Sequence, residues 1–460
     1  MSGQAVLMAM LPEHLLLLGL VVVILMAIAG SAARAALPVA TVFVAAAALA
    51  AARLSFDGYA AAPFAGHLSV DPATLLAKAL VLSLALPVLL MARDEFEGAE
   101  FPALLLSSLY GVGLMMSADS FPTLFLGLEI MSLPVYVLVL LAYQRAQSAE
   151  AALKYLVLGG TATAMFLMGV SLLYGPSGSM KFATFGNALS AADPMARAAA
   201  VLVILAFFLK AAIVPFHAWA PDAYEGASVP VTAYMAVIVK AGVLLAAVRV
   251  FGGASLSAPL LQLMVALPLL SIVWGNLAAM RQPSLRRMIA YSSIAHAGYL
   301  FYALLGAPQG RLQAVTFYLL AYGLLNLLVF AALPAAADDR QRDRLDNLKG
   351  LFHRSPFAAL MIGIAMLSLA GIPPFPGFVA KFMIFRNVIA AGYTTYAVLG
   401  LVGSYLGIYF YLRVIQFMFM SPDAAVQAAP PRRLALGASL ACLAATLWLS
   451  LLPGWLISRL

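Results

Sequence analysis

The chain has 460 residues, 64% of them hydrophobic and only 10% charged, with a mean hydropathy of +1.01. That balance excludes a water-soluble globular domain and a disordered chain, and marks a polytopic membrane protein. A single cysteine, Cys442, excludes a disulfide framework, a zinc site or an iron–sulfur cluster built from this chain, so any redox chemistry is expected on another subunit.

Fourteen apolar stretches follow in order, at 12–33, 36–54, 72–93, 100–118, 121–143, 150–174, 197–219, 229–251, 257–280, 284–305, 311–335, 356–388, 394–420 and 433–457. Most match the ~20 residues that a bilayer requires of a helix. No Lys or Arg precedes the first, whereas a signal peptide needs a basic start, so it is read as a retained span. Lys78 stands early in the third span and is expected to reach the interface. The fourth contains GVGLMM, with Gly111 and Gly113, but a dinucleotide fingerprint needs a third glycine and a preceding strand.

From the fifth span onward, charge stands deeper in the apolar segments. Glu129, in FLGLEIMSLPVY, is read as the only mid-span carboxylate of the eighteen acidic residues. Of the seven lysines, Lys154, Lys210, Lys240 and Lys381 are read as lying deep in spans. A charge at the bilayer centre costs roughly 2.5 to 3.5 kcal/mol on insertion scales, so such residues usually line ion pathways. A buried acid with several buried amines is the inventory of a proton relay.

Proline marks where helices break. The segment FFLKAAIVPFHAWAPDAYEGASVP carries Pro215 and Pro221 beside Lys210, and SLAGIPPFPGFVAKF carries Pro373, Pro374 and Pro376 beside Lys381. Proline removes a backbone donor and clashes with the preceding turn. Backbone groups freed at membrane depth are tolerated only inside protein or along a wet cavity. AAIVPFHAW and AGIPPFPGF also align, with Pro374 lying 159 residues after Pro215. Broken helices at matching places point to an internal repeat, and the five spans between them imply inverted topology. The expected fold is therefore an all-α polytopic membrane protein of about 14 transmembrane helices, with two inverted five-helix repeats and two discontinuous helices. Its parts are a three-helix membrane segment (1–99), a first repeat (100–251), a second repeat (252–420) and a C-terminal helix (421–460).

The net charge of +8 is distributed as a topology signal rather than a nucleic-acid footprint. Odd-numbered loops carry most of the basic residues, including Arg34, Arg93, Arg145, Arg281, Arg286, Arg287, Arg340, Arg342 and Arg344, against Arg53, Lys181, Arg197 and Arg311 in even ones, with Arg249 and Arg386 at the span ends beside them. The positive-inside rule then places odd loops in the cytoplasm and both termini in the periplasm. The run DDRQRDRLDNLKG, from Asp338, reads as a solvated connector.

GLEIMSLPVYVLV, AALKYLVLGG, FLKAAIVPFHAWAPDAYEGA, RRMIAYSSIAHAGY and LSLAGIPPFPGFVAKF, in this order between about residues 100 and 415, resemble the antiporter-like membrane subunits of bacterial NADH:quinone oxidoreductase, respiratory complex I, related to Mrp antiporters. Length and Lys381 place the resemblance with subunit N. It implies a proton-translocating subunit of the bacterial inner membrane, driven by quinone reduction elsewhere. Its partners would be the other antiporter-like and small membrane subunits and the lipid bilayer, with no nucleic acid. FMN, iron–sulfur clusters and quinone would belong to other subunits, with no cofactor or metal on this chain.

The same resemblance gives Glu129 as the acid paired with Lys210, Lys240 as the central relay, His296 as a bridge and Lys381 as the exit carrier. Plainer readings stand beside these: a structural ion pair for Glu129, a snorkelling amine for Lys240, a core histidine bonded to a carbonyl for His296. Lys154 stands between relay member and interfacial anchor. The alternative function is a cation/proton antiporter subunit of the Mrp type.

Overall fold

A bilayer offers backbone groups no water, so apolar runs of this length must satisfy their own hydrogen bonds as helices. The computed structural model of the chain describes residues 3–30, 33–142, 146–190, 193–252, 256–334, 343–421 and 432–460. Its principal helices are α1 (Leu11–Ile28), α2 (Ala33–Phe56), α3 (Pro72–Ala92), α4 (Glu100–Ser117), α5 (Phe121–Leu140), α6 (Ala146–Ser177), α7 (Pro194–Lys210) and α8 (Trp219–Gly226). They continue as α9 (Val229–Val250), α10 (Ala258–Ala279), α11 (Leu285–Ala303), α12 (Pro308–Ala332), α13 (Pro356–Ala370), α14 (Pro376–Ala390), α15 (Thr394–Phe419) and α16 (Arg433–Leu451). Among the described residues eleven helices are long and apolar enough to cross a membrane. The other three expected spans fall on α7 with α8, on the more polar α11, and on α13 with α14. A two-stranded antiparallel hairpin, β1 (Ala61–Phe64) and β2 (Leu68–Val70), is the one departure from an all-helical reading among the described residues.

Helix starts follow local chemistry. Asp71 caps α3 by accepting from the Thr74 N–H (2.8 Å) and hydroxyl (2.9 Å), with Pro72 at the first helical position. Asp193 and Pro194 start α7 in the same way. The interior of the bundle belongs to α9 and α12, whose most apolar stretches are buried throughout. A helix that is apolar all round belongs in such a place. Unexpectedly, α9 contains a π-helical segment, Met235–Val239, immediately before Lys240; such bulges are frequent at functional sites.

The two broken helices share a backbone pattern. After α7 the Ala212 N–H donates to Leu209 O (3.2 Å) and Ile213 N–H to Phe208 O (2.8 Å); after α13, Gly371 N–H donates to Ser368 O (2.9 Å) and Ile372 N–H to Leu367 O (3.2 Å). Each is a Schellman-type ending with its turning residue left-handed, φ 61° at Ala212 and 87° at Gly371. These residues keep the 159-residue offset of the aligned prolines. Pro215, Pro373 and Pro374 lie in the breaks, Pro376 opens α14, and Pro221 is absorbed in the first turn of α8. Freed polar groups find side chains: Ser271 Oγ accepts from Val214 N–H (2.8 Å), and Ser368 Oγ from Gly377 N–H (3.1 Å).

The connections sort into two sets. On one face His67 meets Ser120 Oγ at 3.0 Å, Lys181 bridges to Ser120, and Arg249 donates to Ala118 O (2.9 Å), to Ser69 Oγ (2.8 Å) and to Asp119. These belong to even-numbered loops or the helix ends beside them. On the other face, Arg432 pairs with Glu95 (2.6 Å), Ser148 Oγ donates to Gly226 O (2.7 Å), and Ser284 bridges to Arg344. These belong to odd-numbered loops. Arg34 has no described side chain, and Arg145, Arg340 and Arg342 lie outside the described residues.

Candidate functional site

Glu129, on α5, faces the flank of the bundle with its side chain 25% exposed, while the Lys210 side chain at the end of α7 is buried. Their charged atoms are 3.8 Å apart, beyond a direct hydrogen bond. Each is held separately: the Thr163 hydroxyl donates to Glu129 Oε1 (2.6 Å), and Lys210 Nζ donates to Ser132 Oγ (3.2 Å). The pair is thus poised between contact and separation. An apolar crevice lined by Phe125, Leu128, Ala162, Phe166, Ala206 and Phe207 reaches Lys210 from the flank.

Lys240 lies on buried α9 directly after the π-helical segment. Its amine donates to the carbonyl of Ser293 (2.6 Å) and to the Ser293 hydroxyl, and Tyr224 Oη lies 3.4 Å from that hydroxyl. Ser293 and His296 are three residues apart on α11, hence on one face. Both His296 nitrogens are engaged, Nδ1 with Tyr318 Oη at 2.7 Å and Nε2 with Tyr411 Oη at 3.1 Å. Tyr411 Oη also meets Ser292 Oγ at 2.5 Å. His296 therefore bonds to two phenols rather than to a backbone carbonyl.

Beyond His296 a small cavity, lined by Tyr318, Tyr322, Leu325, Leu369 and Ala380, leads to Lys381. The Lys381 amine caps the end of α13, donating to Leu369 O (3.1 Å) and Ala370 O (3.2 Å), 5.6 Å from the centre of the Tyr299 ring. Lys240, His296 and Lys381 are all buried, and none has a carboxylate within ion-pair distance among the described residues. Four expected site residues thus form two groups: Glu129 with Lys210, and Lys240 with His296, from which the cavity continues to Lys381.

Lys154 corrects the sequence reading. It is 44% exposed and pairs with Glu150 (2.7 Å) and Asp222 (2.7 Å), beside Arg287, which bonds Asp222 and Glu225 at 2.9 Å each. Its long stem carries the amine out of the span into a charged cleft, so it does not lie deep. The connector also departs from expectation. Residues 338–342 lie outside the described residues, but Asp343 is buried, accepting both nitrogens of a bidentate Arg286 at 3.0 and 3.1 Å and the Ser284 hydroxyl at 2.9 Å. Burial alone would raise this acid, but Arg286 outweighs it and holds Asp343 below the usual carboxylate range. With a depressed value, the contact contributes fully above the ordinary carboxylate pKa and is lost only as pH falls through the lowered one.

A second acid also escaped the sequence reading. Glu13 and Lys78 form an ion pair, each side chain only 2% exposed, so a carboxylate at the start of a span is enclosed more fully than Glu129, and the Lys78 amine ends inside the protein rather than at the interface.

Residues 118–407 match the family described as NADH:quinone oxidoreductase/Mrp antiporter, transmembrane. The NADH-quinone oxidoreductase subunit N of Pelobacter propionicus is 38% identical over 91% of this chain and 90% of its own length. The chain belongs to the subunit N family. A chain of respiratory complex I from Thermus thermophilus superposes with a TM-score of 0.86, at 34% identity over 97% of this chain and 98% of its own length. An Mrp complex chain from Dietzia shares the fold, with a TM-score of 0.83 at 23% identity over 100% of this chain and 96% of its own.

In this subunit N chain, sequence reasoning missed the groups that seat the titratable residues: Thr163, Ser132, Ser293, Tyr318 and Tyr411. Only Ser293 carried a local signal, through its helical spacing from His296. The geometry also yields a prediction at Gly371. A Cβ there would lie 3.2 Å from Lys381 Cδ and Nζ on a backbone with φ +87°, so Gly371→Ala strains the turn and displaces the amine. NADH-driven quinone reduction in membranes is expected to fall severalfold, whereas Gly363→Ala, with nothing near its Cβ, leaves it unchanged.

Proposed function

We propose that the chain moves protons from cytoplasm to periplasm as a membrane subunit of NADH:quinone oxidoreductase, along Glu129, Lys210, Lys240, His296 and Lys381. The observation that carries this reading is the row of buried bases from Lys240 through Ser293 and His296 to Lys381, which lack carboxylate partners among the described residues. A fixed buried cation is normally paired. An unpaired amine is stable when it gives up its proton, which is what a carrier must do.

Closing the Glu129–Lys210 gap favours the charged amine, and opening it favours release. At this separation the attraction is about 4 kcal/mol at an effective dielectric of about 20, enough to gate one proton. The Ser293 hydroxyl links Lys240 to the His296 turn, and Tyr318 and Tyr411 hold the imidazole so that its two nitrogens face opposite ways. Water completes the gap to Lys381. Energy reaches this chain from quinone reduction on other subunits, where FMN, iron–sulfur clusters and quinone reside, and no redox step occurs on its own residues. Fourteen crossings, with inverted repeats at 100–251 and 252–420 flanked by the segments 1–99 and 421–460, accommodate this path. The matching Schellman endings support the repeat.

NADH-driven proton uptake by membranes holding the chain together with flavin and iron–sulfur subunits tests the reading. Sodium-dependent exchange by the chain expressed without them would instead establish the antiporter alternative.

Orientation follows from the arginine bias, with odd loops in the cytoplasm and both termini in the periplasm of the bacterial inner membrane. Asp57 (even loop) and Asp94 (odd loop) are both exposed, and native Cys442 is buried. An impermeant thiol reagent applied to cells with an opened outer membrane is expected to label Asp57→Cys and to spare Asp94→Cys. The reverse pattern inverts the assignment.

A further inference from the structure

We propose that Glu13 and Lys78 form a second proton-carrying acid–amine pair, outside the five-residue path, that exchanges protons with the even-loop face. The inference rests on the reading that this chain translocates protons. Glu13 stands in the first turn of α1 and Lys78 in the second turn of α3, both almost completely buried. Among the described residues Lys78 Nζ donates to Glu13 Oε1 only. The other carboxylate oxygen, Oε2, and the adjacent His14 Nε2 are buried without a hydrogen-bond partner among the described residues. A structural ion pair repays the cost of burial when its remaining lone pairs are satisfied. Here one oxygen is left able to take a proton.

The surroundings supply an outlet. Thr74 lies four residues before Lys78 on the same face of α3, and its hydroxyl donates to Asp71 Oδ2 (2.9 Å) and accepts from Arg249 (3.2 Å). Arg249 in turn holds Asp119. Along α3, Thr74 lies about 6 Å and Asp71 about 10 Å from Lys78, so about two turns separate Lys78 from the carboxylates at the even-loop surface. The helix that carries Lys78 also reaches the interior. α3 packs against the π-helical segment that precedes Lys240, and against α12.

The GVG sequence of α4 acquires a purpose in this arrangement. A Cβ on Gly113 would come within 2.8 Å of Glu13 Oε1, and one on Gly111 within 2.4 Å of Met131 N on α5. The two glycines let α4 pass between the Glu13 carboxylate and the backbone of the helix that carries Glu129. The cycle balances with one proton in and one out. A proton arriving on Glu13 Oε2 neutralises the carboxylate; the Lys78 ammonium, now unpaired, releases its proton toward Thr74 and Asp71; the Glu13 proton then passes to Lys78 and restores the ion pair.

The test measures protons moved per NADH oxidised in membranes with the assembled complex. Lys78→Arg keeps the ion pair but cannot release a proton, and Glu13→Gln with Lys78→Met removes both charges together. Both variants are expected to assemble and oxidise NADH with a lowered proton ratio. Should the double variant fail to assemble, Lys78→Arg decides. A wild-type ratio in Lys78→Arg, alongside a stalled Lys240→Arg control, overturns this inference and leaves the main path intact, because the pair is then only a pin between α1 and α3. Normal pumping by the Lys240→Arg control retires Lys240 from the path, and with it the reading on which this inference rests.

Discussion

Lys240→Arg is expected to arrest both NADH-driven quinone reduction and proton uptake, to below about one-tenth of wild type, although it preserves the charge. The guanidinium retains donors for the Ser293 carbonyl and hydroxyl that Lys240 now binds, so a structural anchor would survive the change. What it cannot do is release a proton, because a guanidinium stays protonated in proteins. If pumping and quinone reduction are tightly coupled, a blocked path stalls the driving reaction as well. Lys381→Arg is expected to behave alike, since the backbone carbonyls that Lys381 holds can accept from a guanidinium as well. Parallel measurements of quinone reduction and proton uptake check both variants, and near-normal rates in Lys240→Arg would retire the relay role of that residue.

Glu129→Ala is expected to lower pumping and turnover together while the complex still assembles. Lys210 then loses its only nearby carboxylate among the described residues. Removing one member of a fully buried pair costs several kcal/mol; the partial exposure of Glu129 brings the structural cost well below that, which is why assembly survives and function does not. Glu129→Asp retains the charge with a shorter reach and is expected to be milder. Thr163→Val, which removes the hydroxyl bonded to the Glu129 oxygen that faces Lys210, tests the same gate from the other side. Assembled Glu129→Ala enzyme that pumps at the wild-type rate would remove Glu129 from the path.

Charge in apolar segments was what made this chain legible. Glu129, Lys210, Lys240 and Lys381 were visible because a bilayer penalises them, and the breaks at Pro215 and Pro374 because proline cannot continue a helix. Depth was less legible. Lys154 has a stem long enough to carry its amine to the rim, and only its contacts with Glu150 and Asp222 reveal where the amine ends. Glu13 stood at the very start of a span, where position along the chain suggests water, yet the packing of α1 against α4 buries it. Asp343 sat in a run of mixed charge that reads as solvated, and its bidentate partner Arg286 lies 57 residues away in sequence. Contacts of that range leave no periodic trace. The two tyrosines that seat His296 were invisible for the same reason.

The burial of α9 and α12, set against the exposed flank at Glu129, divides the chain by what each part can sense. Lys240 is walled in by its own protein, so its surroundings stay constant whether the complex sits in thick or thin bilayers, in detergent or in anionic lipid. Glu129 has no such wall. Whatever molecule lies along α5 and α6 contributes to the dielectric that the Glu129–Lys210 gap experiences. On the proposed path, changing lipids or displacing a neighbouring subunit should therefore alter how readily a proton is admitted, while a handover between Lys240 and His296 would proceed at an unaltered rate. The chain would act as a fixed conduit with an adjustable mouth.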